Sequence, residues 1–386
     1  MIGVTKLLCN KVAPGDTLRY QRRSIGDRKP IVVWNSTKAC NLRCIHCYYT
    51  AHAQSDPDEL TTSEAKEMID DLAAFNVPVL LFSGGEPLLR DDLIELGTYA
   101  VQRGLRTVIS TNGTLITDEC AIQIKKTGFA YVGISLDGIG KTNDQFRGAR
   151  GAFDAALAGI QACRKAGVRT GLRLTLNQHN YQDLNEIFDL IEEESIPRAC
   201  FYHLVYAGRG ARIQEDDLSL EESRDAVTLI FERSERMDQK GLDVEILTVD
   251  NHTDAPYLLR YLQEQRPEQV DRVHQLLRWN GGNASGIGIS AIDHLGNVHA
   301  DQFWQHYSFG NIRQRSFGDI WTDTSDPLMA GLKNRKPLLK GRCANCQYLD
   351  ICNGNFRIRA EAVYADVWAP DPACYLTDEE IGINAY

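Results

Sequence analysis

The sequence has no long apolar run and no surplus of basic residues. None of its apolar stretches approaches the roughly 20 residues that span a bilayer, and its N-terminus lacks the apolar core of a signal peptide. We therefore expect a soluble cytoplasmic protein without a membrane partner. Its 42 Lys and Arg residues are outnumbered by 52 Asp and Glu residues, for a net charge of −10. This balance argues against a nucleic-acid partner, because binding phosphates usually requires a basic surplus.

Cysteine, in contrast, is abundant. The cytosol keeps thiols reduced, so the 11 cysteines indicate metal or redox chemistry before disulfides. Seven of them form two groups, and we interpret the other four as small buried hydrophobic residues. The first group is Cys40, Cys44 and Cys47, the second is Cys343, Cys346, Cys352 and Cys374, and the scattered cysteines are Cys9, Cys120, Cys163 and Cys200.

From Pro30 onward, short apolar runs alternate with amphipathic segments, which is typical of βα units around a parallel sheet. The predicted strands are 31–34, 77–82, 107–110, 131–135, 169–176 and 199–204, and the predicted helices are 62–75, 91–103, 117–127, 152–166 and 180–194. These units predict an α/β fold, a partial (β/α)6 TIM barrel, with chemistry at the carboxyl ends of the strands.

The composition and periodicity of the sequence change on either side of this region. Residues 1–29 show no clear periodicity, 219–265 is polar and helix-prone, and 280–288 is rich in glycine. We therefore predict an N-terminal extension over 1–29, the partial barrel over 30–240, a helical linker over 241–280 and a small C-terminal iron-sulfur domain over 281–386.

The first cysteine group has the spacing Cys-x3-Cys-x2-Cys and follows the first predicted strand. Three thiolates can bind three irons of a four-iron cluster and leave the fourth iron open. A tetrahedral zinc site would need a fourth ligand, which His46 or His52 could supply.

Three further motifs follow the next three strands. Gly84 to Pro87 alone would be a turn with a solvated glutamate, Ser110 to Gly113 contains an ordinary Asn-Gly turn, and Asp137 could cap a turn after Ser135. Each motif in isolation is therefore a weak signal. Their order along the chain, behind the cysteine group, carries more information.

This combination resembles the radical S-adenosylmethionine (SAM) enzymes over about residues 30 to 240. The resemblance implies a [4Fe-4S] cluster, SAM, and hydrogen abstraction from a substrate by a 5′-deoxyadenosyl radical. It assigns the catalytic cluster to Cys40, Cys44 and Cys47, the methionine amino group to Gly84, Gly85 and Glu86, and other parts of SAM to Ser110, Asn112 and Ser135.

The second cysteine group offers four thiols, the full complement for another four-iron cluster, although Cys-x2-Cys also opens zinc ribbons. The segment resembles the SPASM and twitch domains of radical SAM enzymes. Two positions depart from a complete SPASM pattern, because Asp301 and Phe356 stand where cysteines are expected. We therefore expect a single auxiliary [4Fe-4S] cluster that is fully ligated by the protein.

A resemblance over nearly the whole chain links it to tetrapyrrole-modifying members of this family. It implies removal of two acetate side chains from 12,18-didecarboxysirohaem to give Fe-coproporphyrin III, in sirohaem-dependent haem biosynthesis, with an electron donor such as flavodoxin or ferredoxin. The alternatives are removal of propionates on the way to haem d1, a SPASM peptide maturase, or an iron-sulfur electron carrier. Only 39 residues precede Cys40, which counts against a leader-binding domain for a peptide. The segments that carry the resemblance include 1–3, 18–20, 32–35, 202–210, 353–357 and 371–376.

Arginines would pair with the carboxylates of such a substrate. The best candidates, Arg209 and Arg212, follow the sixth predicted strand, and His203 on that strand could ligate the substrate iron or donate a proton. Each arginine could instead be a solvated surface residue, and His203 a packed barrel residue. Further candidates are Arg357, Arg359, Arg22 and Arg23.

Overall fold

The computed structural model describes residues 1–22 and 28–383 and contains one ten-stranded sheet. The strands are β1 (Ile2–Gly3), β2 (Ile31–Asn35), β3 (Val79–Ser83), β4 (Arg106–Thr111), β5 (Tyr131–Ser135), β6 (Thr170–Leu176), β7 (Arg198–His203), β8 (Glu245–Val249), β9 (Ile289–Ile292) and β10 (Val298–His299). Their order across the sheet is β1-β8-β7-β6-β5-β4-β3-β2-β9-β10.

Helices connect and flank these strands. They are α1 (Val4–Cys9), α2 (Asp16–Arg19), α3 (Thr62–Ala74), α4 (Leu93–Gln102), α5 (Asp118–Thr127), α6 (Lys141–Arg147), α7 (Ala152–Lys165), α8 (Leu184–Glu193), α9 (Leu220–Gln239), α10 (Asp254–Gln265), α11 (Val270–Asn280), α12 (Phe317–Thr322), α13 (Pro327–Lys333), α14 (Gly341–Ala344), α15 (Leu349–Cys352) and α16 (Arg357–Tyr364). Within the described ranges, none of the helices combines the length and the apolar character that crossing a membrane requires.

The predicted partial barrel is confirmed. Strands β2 to β7 are parallel and follow one another in the sheet, and each lies within two residues of its predicted bounds. Their register aligns Trp34 with Phe82, Phe82 with Ile109, and Ile109 with Val132. These large apolar side chains are buried because helices cover the outer face of a parallel sheet, as βα connections require.

The structure differs from the prediction at β8, which lies inside the stretch that we predicted to be helical. All five residues of β8 are buried, and the strand pairs in parallel with β7 and antiparallel with β1. A short run that is buried on both faces has no period-2 pattern, so periodicity alone cannot distinguish it from part of a buried helix. The segment 241–280 therefore contributes a seventh parallel strand before α10 and α11.

The other edge of the barrel is extended by the C-terminal part of the chain. Strand β9 pairs in parallel with β2, aligning Ile31 with Ile289 and Trp34 with Ile292, and β10 pairs antiparallel with β9. The glycine-rich segment 280–288 begins where α11 ends. Gly281 caps this helix in the left-handed conformation, which favours glycine. The C-terminal part thus starts within the sheet of the barrel.

Candidate functional site

The carboxyl ends of the strands surround a cavity of about 160 Å³. It brings together the first cysteine group and most of the residues predicted to bind SAM, as expected for strand-end residues of a parallel sheet. Those lining the cavity are Cys40, Cys44, Cys47, Gly84, Gly85, Ser110, Asn112 and Ser135.

The glycine-rich loop packs directly against the cysteine loop. Backbone N–H groups of Gly85 and Glu86 donate hydrogen bonds of 2.7 Å to the carbonyls of Thr37 and Ala39. A Cβ at Gly85 would lie 2.0 Å from the Ala39 oxygen, and Gly84 has a φ of 130°. Both positions therefore require glycine, and the two loops form one surface.

Glu86 is fully buried next to this surface and does not line the cavity. Its carboxylate accepts hydrogen bonds from Thr111 Oγ1 at 2.7 Å, from the Asn112 N–H at 2.8 Å and from the Leu88 N–H at 3.1 Å. Burial raises the pKa of this carboxyl group, and the three donors oppose that shift. Glu86 therefore connects the loop after β3 to the end of β4.

The cysteine thiols lie in a mostly apolar environment. Cys40 and Cys44 are buried with Leu42, Ala51 and Ala152, and Cys47 packs against the same cluster. Burial raises the pKa of Cys40 to about 12 and also raises the pKa of Cys44. Without a bound metal, these groups are therefore neutral thiols near pH 7.

Arg147 belongs to this site although the sequence analysis did not identify it. Nη1 of Arg147, at the end of α6, lies 3.6 Å from the Cys44 sulfur, and the same guanidinium forms an ion pair with the buried Asp137. His46 Nε2 lies 3.6 Å from Asp137, and burial lowers the His46 pKa to about 4, so this imidazole is neutral near pH 7. The one signal in the sequence for this ion pair was Asp137, two residues after the buried strand β5, since a buried carboxylate requires a cation as partner.

These residues fit a four-iron cluster better than a zinc ion. Within the part of the chain that the structure describes, no three His, Cys, Asp or Glu side chains converge on a position for one metal ion. A four-iron cluster needs no such convergence, because each thiolate binds a different iron. Neither histidine completes a zinc site, since His46 faces Asp137 and the side chain of His52 is exposed.

The second cysteine group lies together in the C-terminal part. Burial raises the pKa of Cys346 to about 11, and its neighbours Cys343 and Cys374 raise it further. Burial also raises the pKa of Cys352, and the neighbouring thiols add to that shift. The loop with Cys374 is held by Asp371, which accepts a 2.9 Å hydrogen bond from the Ala373 N–H. Four neighbouring thiols fit the predicted auxiliary cluster.

The two positions that depart from the SPASM pattern offer no thiol and have other roles. Asp301 is buried and accepts hydrogen bonds from the Ser285 hydroxyl and, at 2.8 Å, from the Phe303 N–H. The ring of Phe356 packs against that of Phe303, with 5.8 Å between centroids. Both residues therefore contact the segment that follows β10, through Phe303.

The arginines predicted to bind substrate are mostly engaged with the protein itself. Arg209 lines the cavity but donates hydrogen bonds of 2.8 Å to the carbonyls of Cys44 and Ala51. Arg357 is buried and donates to three backbone carbonyls, and Arg359 forms a fully buried ion pair with Asp371.

The remaining candidates are divided between the cavity and the surface. His203 lines the cavity, and its Nε2 lies 3.1 Å from Asp254. Arg212 and Arg22 are exposed, and Arg23 lies outside the described residues.

A second cavity of about 320 Å³ lies further along the barrel interior, towards the amino ends of the strands. Five arginines that the sequence analysis did not single out line it, two from the N-terminal part, Arg19 and Arg28, and three from strands of the sheet. The strand residues are Arg106, Arg173 and Arg198. Arginines within strands form no sequence motif, and only the assembled sheet shows that these side chains line one cavity.

Two family models match the sequence. Residues 34–191 match the radical SAM superfamily, and residues 288–347 match an iron-sulfur cluster-binding domain known as SPASM. The chain is 59% identical to an Fe-coproporphyrin III synthase of Methanosarcina barkeri, covering 99% of each chain. It is 43% identical to a pre-heme d1 synthase of Dinoroseobacter shibae, covering 92% of this chain and 89% of the relative.

The fold is also similar to solved structures. The crystal structure of Streptococcus suis SuiB bound to S-adenosylmethionine has a TM-score of 0.70 and 19% identity, covering 90% of this chain and 78% of SuiB. Identity this low supports the shared fold alone.

Proposed function

This chain belongs to the radical SAM superfamily and carries a SPASM iron-sulfur domain, and we propose that it removes two acetate side chains from 12,18-didecarboxysirohaem to give Fe-coproporphyrin III. The observation that supports this most directly is the 59% identity to an Fe-coproporphyrin III synthase over 99% of both chains. The pre-heme d1 synthase, at 43% identity, makes propionate removal the second candidate.

The cofactors of the family are a [4Fe-4S] cluster and SAM, and the SPASM domain adds an auxiliary iron-sulfur cluster. Bound together, cluster and SAM supply a radical hydrogen abstraction. We propose that Cys40, Cys44 and Cys47 hold the first cluster. The proposed ligands of the auxiliary cluster are Cys343, Cys346, Cys352 and Cys374.

The proposed roles of the other residues follow from their contacts. Gly84 and Gly85 let their loop pack against the cysteine loop at the edge of the cavity, while Ser110, Asn112 and Ser135 offer polar groups at the strand ends. Glu86 holds the loop that presents these groups. Apolar side chains around the thiols limit access of water, which protects a reactive radical.

We also propose a cytoplasmic location and a flavodoxin or ferredoxin as electron donor. The 11 cysteines are all free in the structure, and the cytoplasm keeps thiols reduced. A small redox protein is the type of donor that could reduce the cluster.

An anaerobic turnover assay tests the proposal. Reconstituted protein is incubated with SAM, a reductant and 12,18-didecarboxysirohaem, and the product is analysed by mass spectrometry and absorption. Loss of two acetate arms with a porphyrin spectrum is the expected result. Loss of propionates from a ring that stays reduced would identify the pre-heme d1 reaction, and an unchanged tetrapyrrole beside cleaved SAM would refute both.

A further inference from the structure

The barrel interior contains a guanidinium group that has no hydrogen-bond or ion-pair partner among the described residues. Arg173 lies on β6, and in the described part of the chain no side chain or carbonyl accepts a hydrogen bond from it or forms an ion pair with it. Its closest aromatic contact is Tyr202, whose ring centroid lies 4.8 Å from the guanidinium carbon. Arg209, by comparison, donates to two backbone carbonyls.

Arg173 lies where the two cavities of the barrel meet. The residues that line both cavities include Val33, Leu81, Arg173, Tyr202 and Asp250. The smaller cavity extends from this layer to the cysteine loop, and the larger one extends to the amino ends of the strands. A ligand that reaches from the site of chemistry into the barrel therefore passes Arg173.

The larger cavity has a surplus of positive charge at its end near the amino ends of the strands. Arg19 and Arg198 line it, and both share the carboxylate of Glu245 with Arg169, which lies 3.0 Å from that carboxylate. Arg19 also forms an ion pair of 3.0 Å with Asp16, so two carboxylates serve three arginines here. Arg106 also lines the cavity and has no ion pair within the described residues. Burial lowers the pKa of Arg106, and repulsion by the neighbouring arginines lowers it further.

This surplus is unusual in a chain whose net charge is −10. Only Asp250 and Asp301 contribute carboxylates to the lining of the larger cavity among the described residues. Asp301 already accepts hydrogen bonds from Ser285 and Phe303, and Asp250 interacts electrostatically with the Met1 amino group, with Arg359 and, more weakly, with Arg173. A ligand with several carboxylates would compensate the remaining positive charge, because an unpaired charge inside a protein is costly.

We infer that Arg173 binds a propionate carboxylate of the tetrapyrrole substrate within the barrel. This inference rests on the proposed function, which supplies a macrocycle with several propionates. A guanidinium can bind a carboxylate through two parallel hydrogen bonds, and such pairs are strong where water is excluded. One propionate held at the junction would orient a ring edge towards the cysteine loop.

Binding of the proposed product tests this role without turnover. The reconstituted holoenzyme is titrated with Fe-coproporphyrin III and with its tetramethyl ester, and Kd is measured from the Soret absorption. We compare the wild type with Arg173→Met, Arg173→Lys and the control Arg164→Met, which removes a charge from an exposed residue of α7. Thermal unfolding and the Kd for SAM are measured for each variant.

Arg173→Met is expected to weaken binding of the free acid by about 10- to 100-fold, the loss typical of a charge-assisted hydrogen bond. Its affinity for the ester should equal that of the wild type, because the ester offers no carboxylate. Arg173→Lys keeps the charge but loses the bidentate geometry, so its loss should be intermediate. It also provides the test if Arg173→Met does not fold.

Three results would overturn the inference. The first is that both Arg173 variants bind the free acid as tightly as the wild type does. The second is that Arg173→Met loses the same affinity for the free acid and for the ester. The third is that the Arg173 variants bind SAM more weakly while their affinity for both porphyrins is unchanged. If the wild type itself binds neither porphyrin and converts no tetrapyrrole, the proposed function fails before the role of Arg173 is reached. The two failures are therefore distinguishable by comparing wild type with variant.

Discussion

Arg147 lies with its Nη1 atom 3.6 Å from the sulfur of Cys44. The guanidinium group is held there by Asp137, which is fully buried after β5. A cation at this distance stabilises negative charge on the sulfur, and hydrogen bonds to cluster sulfurs are among the factors that set reduction potentials.

Arg147→Met should therefore lower the midpoint potential of the first cluster, by about tens of millivolts. The measurement is an EPR-monitored potentiometric titration without SAM, in a background where the second cysteine group is changed to alanine. Arg150→Met is the matched control, because Arg150 is exposed three residues further along the chain. A potential equal in both variants would contradict the proposed contact with the cluster.

Glu86→Gln should destabilise the protein by about 1 to 3 kcal/mol. The glutamine amide keeps one acceptor, so the N–H of Asn112 or the hydroxyl of Thr111 loses its charged partner in a buried site. Urea unfolding gives the change in free energy. Glu95→Gln removes an exposed carboxylate from α4 and should change it by less than about 0.5 kcal/mol.

Replacing Cys352 and Cys374 by alanine should reduce the iron content by about half, because only the auxiliary cluster loses its ligands. SAM cleavage without substrate should continue, whereas conversion of the tetrapyrrole should stop. Iron analysis and product analysis give the two readouts. Cys163→Ala is the control, since Cys163 is buried on α7 in the main hydrophobic core and belongs to neither cysteine group, and it should keep the full iron content.

Asp250→Asn should stabilise the protein at alkaline pH. Burial raises the pKa of Asp250 to about 7, opposed mainly by the amino group of Met1 and by Arg359. Because the folded pKa lies above the unfolded value, the wild type loses stability as pH rises from about 4 to about 7.

The variant should therefore gain relative stability over this range, reaching about 2 to 4 kcal/mol above pH 7. Asparagine also tolerates the positive φ of 67° at this position. Unfolding curves of both proteins between pH 5 and 8.5 measure the difference. A difference that does not depend on pH would show that Asp250 does not titrate in this range.

Arg209→Met should reduce the iron content and Arg212→Met should not, although both arginines follow β7. Arg209 holds the cysteine loop through the carbonyls of Cys44 and Ala51, so its loss should reduce the iron in the first cluster. Arg212 is exposed, and its loss should leave iron content and KM unchanged. A raised KM for the tetrapyrrole in Arg212→Met would instead support the prediction from sequence that Arg212 binds substrate.

The strand-end motifs could be located from sequence because each directly follows an apolar run. Parallel strands end at one edge, so Cys40, Gly84, Ser110 and Ser135 had to lie near one another. Arg147 and Arg173 could not be found in this way. Arg147 reaches the site from the end of a helix, and Arg173 lies mid-strand, where a charged residue has no local signature.

Strand β8 shows the same limit for the fold. Glu245 in this strand is buried only because three arginines from other elements surround its carboxylate. In the sequence, Glu245 is only a charged residue in a polar region. Its place in a strand paired with β7 depends on arginines that are distant along the chain.

The pairing of β9 with β2 determines what a shortened chain would do. Removing the residues from Ile289 onward would turn β2 from an interior strand into an edge strand with unpaired N–H and C=O groups. Its sequence, Ile31 to Trp34, is apolar and β-branched, which is the type of edge that recruits other chains and aggregates. The C-terminal part is thus no detachable module, and a truncated barrel would precipitate rather than report on the first cluster alone.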